Sequence, residues 1–401
     1  MKKITLAAGL IAAAGLAQAR AADWAPYVNA ELYGGRTHFS GSDVNGLNGS
    51  ATFVPGFRLG DKMSILPSIS YGYRRTRDVQ EVAGGGFLTQ QNMDVAAGLK
   101  GVYALGPAWR AKGYGSYKKE LSKETADESW SNGLFNYNKT AGGVELERQG
   151  GAVKSLRFGL DYYLTKFPNF QSLASRQFGA EINAGKDVLD FRGLDASVGG
   201  DVALGPNAQL SAYFMASNRS FGDQHIVKKD GTFSSDLRKD LFTYVSAGLR
   251  RQLPPARLGN TSIESLAGLD VSYGRLDSNQ NNYDAGQTKF NPNFYDYSEV
   301  GAGPRFNVRF REKLTAGVSW MWSRRAYGDR PVQASDGKYG SAAIASTVNT
   351  LRFSAGYPIM KSLSFQVIGA FQHAASNMDY ESVYRYNYSS ANYFAGLSYS
   401  L

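Results

Sequence analysis

The chain has 401 residues, with 44 Lys and Arg against 34 Asp and Glu, 46 glycines, 25 tyrosines, 22 phenylalanines, three histidines and no cysteine. Without cysteine there is neither a disulfide nor a thiolate metal site, and three histidines supply metal or His-based chemistry poorly. The mean hydropathy is −0.34 and no run of about twenty apolar residues follows the N-terminal segment, so a helical membrane protein is excluded and any lipid-facing surface must be hidden in alternation.

At the N-terminus, Lys2 and Lys3 precede an apolar stretch from Ile4 to Leu16 that ends in Ala17-Gln18-Ala19. This is the pattern of a cleaved Sec-type signal peptide over residues 1–21, cut after Ala19 or Ala21, and it is too short to span a bilayer. The mature part, 22–401, then reads as one unit. Its formal charge is lower than the +10 of the whole chain, because Lys2, Lys3 and Arg20 belong to the leader.

Beyond the leader the dominant period is two. Ile65, Pro67, Ile69, Tyr71 and Tyr73 alternate with Leu66, Ser68, Ser70, Gly72 and Arg74. Leu156, Phe158, Leu160, Tyr162 and Leu164 do the same, as do Leu363, Phe365, Val367, Gly369 and Phe371. A hairpin places Val300, Ala302, Pro304, Phe306, Val308 and Phe310 on one face, turns at Arg311-Glu312-Lys313, and continues with Leu314, Ala316, Val318, Trp320 and Trp322. Thr315, Gly317, Ser319 and Met321 then face the other way. Pro55, Pro67 and Pro304 each remove a ladder donor on the apolar face, with Pro55 and Pro67 roughly opposite one another across the Gly60-Asp61-Lys62 turn.

Connections fall into two alternating classes. Short turns are expected at 60–62, 106–107, 149–151, 205–207, 254–260, 311–313 and 358–361, and long polar links at 40–48, 77–90, 121–132, 166–189, 220–238, 276–296, 326–346 and 374–388. Seven short turns and eight long links make sixteen strands. One missed or invented hairpin would make that fourteen or eighteen. An even count brings both ends of the sheet to one rim, where first and last strands can pair and leave no edge. The expected fold is all-β: a transmembrane antiparallel β-barrel.

The last strand carries Tyr393, Ala395, Leu397, Tyr399 and Leu401 on its apolar face. With Gly396, Tyr399 and Leu401 this ending resembles the C-terminal signal by which Gram-negative outer-membrane barrels are recognised for insertion, except that most such signals end in Phe. The segments from Lys166 to Ser175, and from Ser376 to Tyr380 with Tyr386-Asn387-Tyr388, are similar to poorly characterised outer-membrane barrels of porin-like architecture. The resemblance implies an address in the cell outer membrane, contact with lipid, lipopolysaccharide and the insertion machinery, and no particular activity.

Interfacial aromatics are expected at Tyr73, Trp320, Trp322, Tyr357 and Tyr399. On the opposite face, the candidates for lining a pore are Arg58, Arg110, Lys112, Arg157, Arg250, Arg305, Arg309 and Arg352, set against Glu31, Glu145, Glu147, Asp161, Asp201, Glu264, Asp270 and Glu299. Such residues either brace the wall as a salt-bridge network or form a basic stripe that eases anion passage. Arg176, Lys186, Arg330 and Lys338 in the long links would add positive potential at a constriction.

Function on this reading is a passive, water-filled pore for small hydrophilic solutes with mild anion preference. The alternatives are the barrel of a polymer or lipoprotein export or assembly system, although no repeat domain precedes the first strand, and a structural barrel or outer-membrane hydrolase. For a hydrolase the residues are few: His373 with Ser376 and Asp379, and His38 and His225 near other links. Gly84-Gly85-Gly86 precedes no helix, and Asp277 to Thr288 lacks the Gly and terminal Glu of a calcium loop. Neither cofactor nor metal is expected, nor nucleic acid. Arg75 and Arg324 are placed to meet lipopolysaccharide phosphates. The sequence leaves the oligomeric state open.

Overall fold

A strand with one apolar face must bury that face against another layer or turn it to lipid, and the exposed positions show which occurs here. The structure is a computed structural model that describes residues 23–40, 42–76, 90–123, 128–170, 187–259, 261–283, 289–311, 313–381 and 385–401. The expected leader and the Gly84 to Gly86 run lie outside them.

Among the described residues, sixteen long strands form one antiparallel wall. They are β1 (Asp23–Phe39), β2 (Ser42–Leu59), β3 (Met63–Thr76), β4 (Gln90–Ala104), β5 (Trp109–Lys123), β6 (Tyr137–Gln149), β7 (Val153–Lys166) and β8 (Phe191–Ala203). The series continues with β9 (Ala208–Val227), β10 (Phe233–Gln252), β11 (Thr261–Ser278), β12 (Tyr297–Phe310), β13 (Leu314–Gln333), β14 (Tyr339–Pro358), β15 (Leu363–Ser376) and β16 (Tyr388–Ser400). Each strand pairs with its sequence neighbours, and β1 pairs with β16 from Asn29↔Ser400 to Phe39↔Ser390, which closes the barrel. Both ends of the wall therefore lie on the rim that carries the short turns. At the β6–β7 turn, Gly150 and Gly151 have φ of +110° and +76°, a conformation that side-chain-bearing residues adopt only at a cost.

The apolar face points outward. Val144 on β6 and Leu269 on β11 are 60% and 48% exposed, although each sits mid-strand in a complete ladder. The register puts Val318 and Trp320 on this face and Ser319 and Met321 on the other, with Ser319 opposite Arg305 and Arg352. Water would penalise so broad an apolar exterior by about 25 cal/mol per Å². A bilayer does not, and it equally forbids unpaired strand edges, so closure and exterior require each other.

Three expected links differ from the structure. Pairing of β1 with β2 continues to Phe39↔Ser42, so 40–48 is mostly strand. Likewise 220–238 and 326–346 are the paired ends of two long hairpins, β9–β10 and β13–β14, whose turns occupy 228–232 and 334–338. A 20-residue strand runs about 65 Å along its axis, longer than a tilted crossing of a core about 30 Å thick requires. Beyond the bilayer no apolar face is needed, so alternation fades while the backbone ladder continues. The register shifts near Leu237 and Pro331 mark where these extensions become irregular.

Pro55 pairs with Pro26 of β1, and β2–β3 pairing skips from Phe53↔Ile69 to Phe57↔Ile65, so three outward prolines lie side by side on β1, β2 and β3. Pro304 sits in a similar gap between Ala302↔Trp322 and Arg305↔Ser319.

Candidate functional site

The period-two strands that turn apolar residues outward turn their other set into the lumen. The register puts Arg110, Lys112, Arg157, Arg250, Arg305, Arg309 and Arg352 on that inner face, with Arg58. The eight acids named with them share it.

Their contacts separate them into braced and free groups. Lys112 Nζ lies 2.6 Å from carboxylate oxygens of both Glu145, directly opposite on β6, and Glu147, two residues further along it. Arg110 faces Glu147 in the same register. Arg157 reaches Asp201 at 3.4 Å, and Asp201 also accepts from Ser155 and Ser211. Arg250 and Arg305 share Asp270, Arg250 at 2.6 Å and Arg305 through Nε at 2.7 Å and through Nη2. Arg309 stands 3.7 Å from Glu264. Arg352 has no hydrogen-bond or ion-pair partner among the described residues.

Two cavities in the lumen meet at this free guanidinium. One, about 690 Å³, is lined by Asp270, Arg305, Asn307, Ser319 and Phe394. The other, about 850 Å³, lies toward the long connections and is lined by Glu299, Arg325, Arg330, Arg385 and Tyr386. Arg352 and Met321 line both.

The larger cavity is roofed by three connections drawn together at Arg330. Its guanidinium lies 4.3 Å from the Phe294 ring centroid and 5.2 Å from that of Tyr327, and Nη2 donates to the Tyr386 hydroxyl at 2.9 Å. The β11–β12 connection is fixed at its ends by Ser278 N–H donating to Asp296 at 2.6 Å and by Asn281 donating to the Val227 carbonyl at 2.8 Å. The β15–β16 connection is tied to the β13 tip through Asp379 and Tyr380 amides on the Gln333 carbonyl. Burial lifts the Asp296 carboxyl above the usual carboxylate range, with Asp277 and Asp329 adding to it against the Ser278 amide.

Of the four basic residues expected at a constriction, Arg330 reaches the cavity. Lys338 stands at the β13–β14 turn with its side chain 85% exposed, paired with Asp336. Arg176 and Lys186 lie outside the described residues. Arg325 and Arg385 were not singled out from sequence: Arg325 falls on the lumen parity of β13 and was legible there, whereas Arg385 follows from no periodicity.

The remaining expectations can be placed. Tyr357 and Tyr399 face outward near the short-turn rim, 47% and 37% exposed, Trp320 and Trp322 face outward midway along β13, and Tyr73 near the end of β3 packs edge-on against Trp130. Gly396 and Tyr399 stand on opposite faces of β16, and Leu401 exchanges backbone hydrogen bonds with Val28. His373 bonds Ser389 at 3.0 Å, whereas Ser376 donates to the Ala345 carbonyl, so those two are not joined. His38 pairs with Asp43 and His225 with the Ser234 carbonyl. No group of three metal-binding side chains occurs among the described residues.

A closed sixteen-stranded antiparallel wall, apolar outside and charged within, defines a transmembrane barrel of the outer-membrane, porin-like class. No protein-family model and no curated protein matches the sequence. Among solved structures the chain is similar to OmpT, an outer membrane protein of Vibrio cholerae in its trimer form, at 9% identity and a TM-score of 0.46, covering 95% of this chain and 100% of that one. It is similar to OccD3 (OpdP) of Pseudomonas aeruginosa at 9% identity and 0.46, covering 94% and 92%. OccAB4 of Acinetobacter baumannii follows at 10% and 0.43, covering 96% and 99%. These are broad likenesses of barrel shape.

Proposed function

We propose that the protein is a passive, water-filled pore for small hydrophilic solutes in the outer membrane, with a mild preference for anions. The observation that carries this reading is the pair of lumen cavities meeting at Arg352, a guanidinium with no carboxylate partner among the described residues. A sixteen-stranded wall is too wide for its own side chains to fill, unlike an eight-stranded one. Where inward cations are paired, as at Lys112 or Arg250, they stiffen the wall and cancel locally. Where one is free, its field acts on whatever passes. Lipid, lipopolysaccharide phosphates and the insertion machinery are the partners this reading entails.

Planar-bilayer recording of the refolded protein in a salt gradient tests it. Wild type is expected to conduct with a reversal potential on the anion side, and Arg352→Ser to move that potential toward cations. Well-folded wild type without conductance would reject the pore and leave the export or structural barrel.

A further inference from the structure

The larger lumen cavity has a charge balance unlike that of the wall below it. Lys112, Arg250 and Arg305 each lie at hydrogen-bond distance from carboxylates. Among the described residues around the 850 Å³ cavity, four arginines, Arg325, Arg330, Arg352 and Arg385, meet one carboxylate, Glu299. That carboxylate is already taken by Arg325 at 2.7 Å. Arg330 is held by two rings and a phenol rather than by an acid, and Arg352 and Arg385 have no carboxylate partner among the described residues.

Convergence of like charges from separate elements is costly. The four guanidiniums come from β13, β14 and the β15–β16 connection, and a fold gains nothing by aiming them at one space unless something negative enters it. Guanidinium groups bind carboxylate and phosphate in a planar, two-pronged geometry, and Arg330 is held in place for this by the Phe294 and Tyr327 rings and the Tyr386 hydroxyl. Beside the apolar Met321, Ile344, Val348 and Ala374, part of the remaining lining is suited to a hydroxylated body. It offers the hydroxyls of Ser272, Ser346 and Thr350, the Gln372 amide and the rings of Tyr244 and Tyr327. At about 850 Å³ the space is far larger than a bare inorganic anion and falls in the range of small-molecule sites.

We infer that this cavity is a binding site for a polyhydroxylated organic anion, its carboxylate or phosphate group held by Arg352, Arg385 and Arg330 and its hydroxylated body by the polar and aromatic wall. The inference deepens the pore reading, from which it takes only the route of entry.

The test uses full-length protein in nanodiscs, titrated calorimetrically with glucose 6-phosphate and with glucuronate, and with glucose and inorganic phosphate as the two half-ligands. At least one sugar anion is expected to bind about tenfold or more tighter than either half-ligand, and whichever binds identifies phosphate or carboxylate as the recognised group. Arg352→Ser combined with Arg385→Ser should weaken it by about tenfold or more, Arg352→Gln alone by less, and Lys338→Ser, at the exposed tip, not at all. Retained shift on heating in semi-native gels reports folding of each variant. Equal affinity for glucose and both sugar anions, or binding unchanged in a folded Arg352→Ser/Arg385→Ser protein, would overturn the site. Calorimetric binding without any bilayer conductance would reject the pore and keep the site, whereas conductance without binding would do the reverse.

Discussion

Arg305 and Arg309 on β12 and Arg352 on β14 point inward on either side of β13, yet their surroundings give them different work. Arg305 shares Asp270 with Arg250 and is partly exposed, so Arg305→Ser should cost about 1 kcal/mol or less and leave selectivity nearly unchanged. Arg352 has no such partner, so its loss should show in the reversal potential with little change in thermal midpoint. Asp296 titrates differently from an exposed carboxyl. Its folded-state pKa is raised, so the folded cap holds the proton more tightly than the unfolded chain does. The contribution of this group to cap stability is fully present below the ordinary carboxylate range and is lost as pH rises through the raised value. Exchange protection of amides around Ser278 and Phe294, corrected for intrinsic rate, is expected to rise as pH falls from neutral toward about 4, and Asp296→Asn should abolish that dependence.

Among the elements, β16 must close the wall, and its ending is the one expected from sequence to act as an insertion signal. An added Cβ at Gly396 would run into the Leu32 carbonyl oxygen and lie 2.6 Å from a Tyr33 ring carbon, because Tyr33 crosses over that position to donate to Gln366 at 2.9 Å. Gly396→Val should therefore impair closure, seen as loss of the heat-shifted folded band and of outer-membrane assembly. Normal folding of that variant would show that the Tyr33 crossing is dispensable. This strand was readable from sequence, since Tyr393, Ala395, Leu397, Tyr399 and Leu401 keep one apolar face. The extensions of β9, β10, β13 and β14 were not, because a strand in water needs backbone pairing alone and leaves no apolar period. The inner face was readable by parity once the outer was known, which is how Arg305 and Arg352 were found. What parity cannot supply is pairing. That Asp270 serves Arg250 and Arg305 while Arg352 goes unserved depends on side-chain reach across three strands, and Arg385 enters the cavity from a connection with no period at all.

For the whole molecule, selectivity should follow the field in the lumen rather than any filter of fixed size. Of the cations on the inner face, those in the lower wall are mostly cancelled by neighbours, whereas Arg330, Arg352 and Arg385 act together on a cavity of about 850 Å³. Such a field reaches passing ions over about 10 Å at 0.1 M salt but only about 3 Å at 1 M. An ion crossing water-filled space at low salt feels all three guanidiniums, and at high salt only one in direct contact. The anion-to-cation permeability ratio is therefore expected to fall toward that of the free ions as salt is raised from 0.05 to 1 M. Arg352→Ser should lower the ratio at the low end and leave the high end unchanged. A ratio independent of salt would mean that contact at a narrow ring, rather than the collective field of these three arginines, decides what passes.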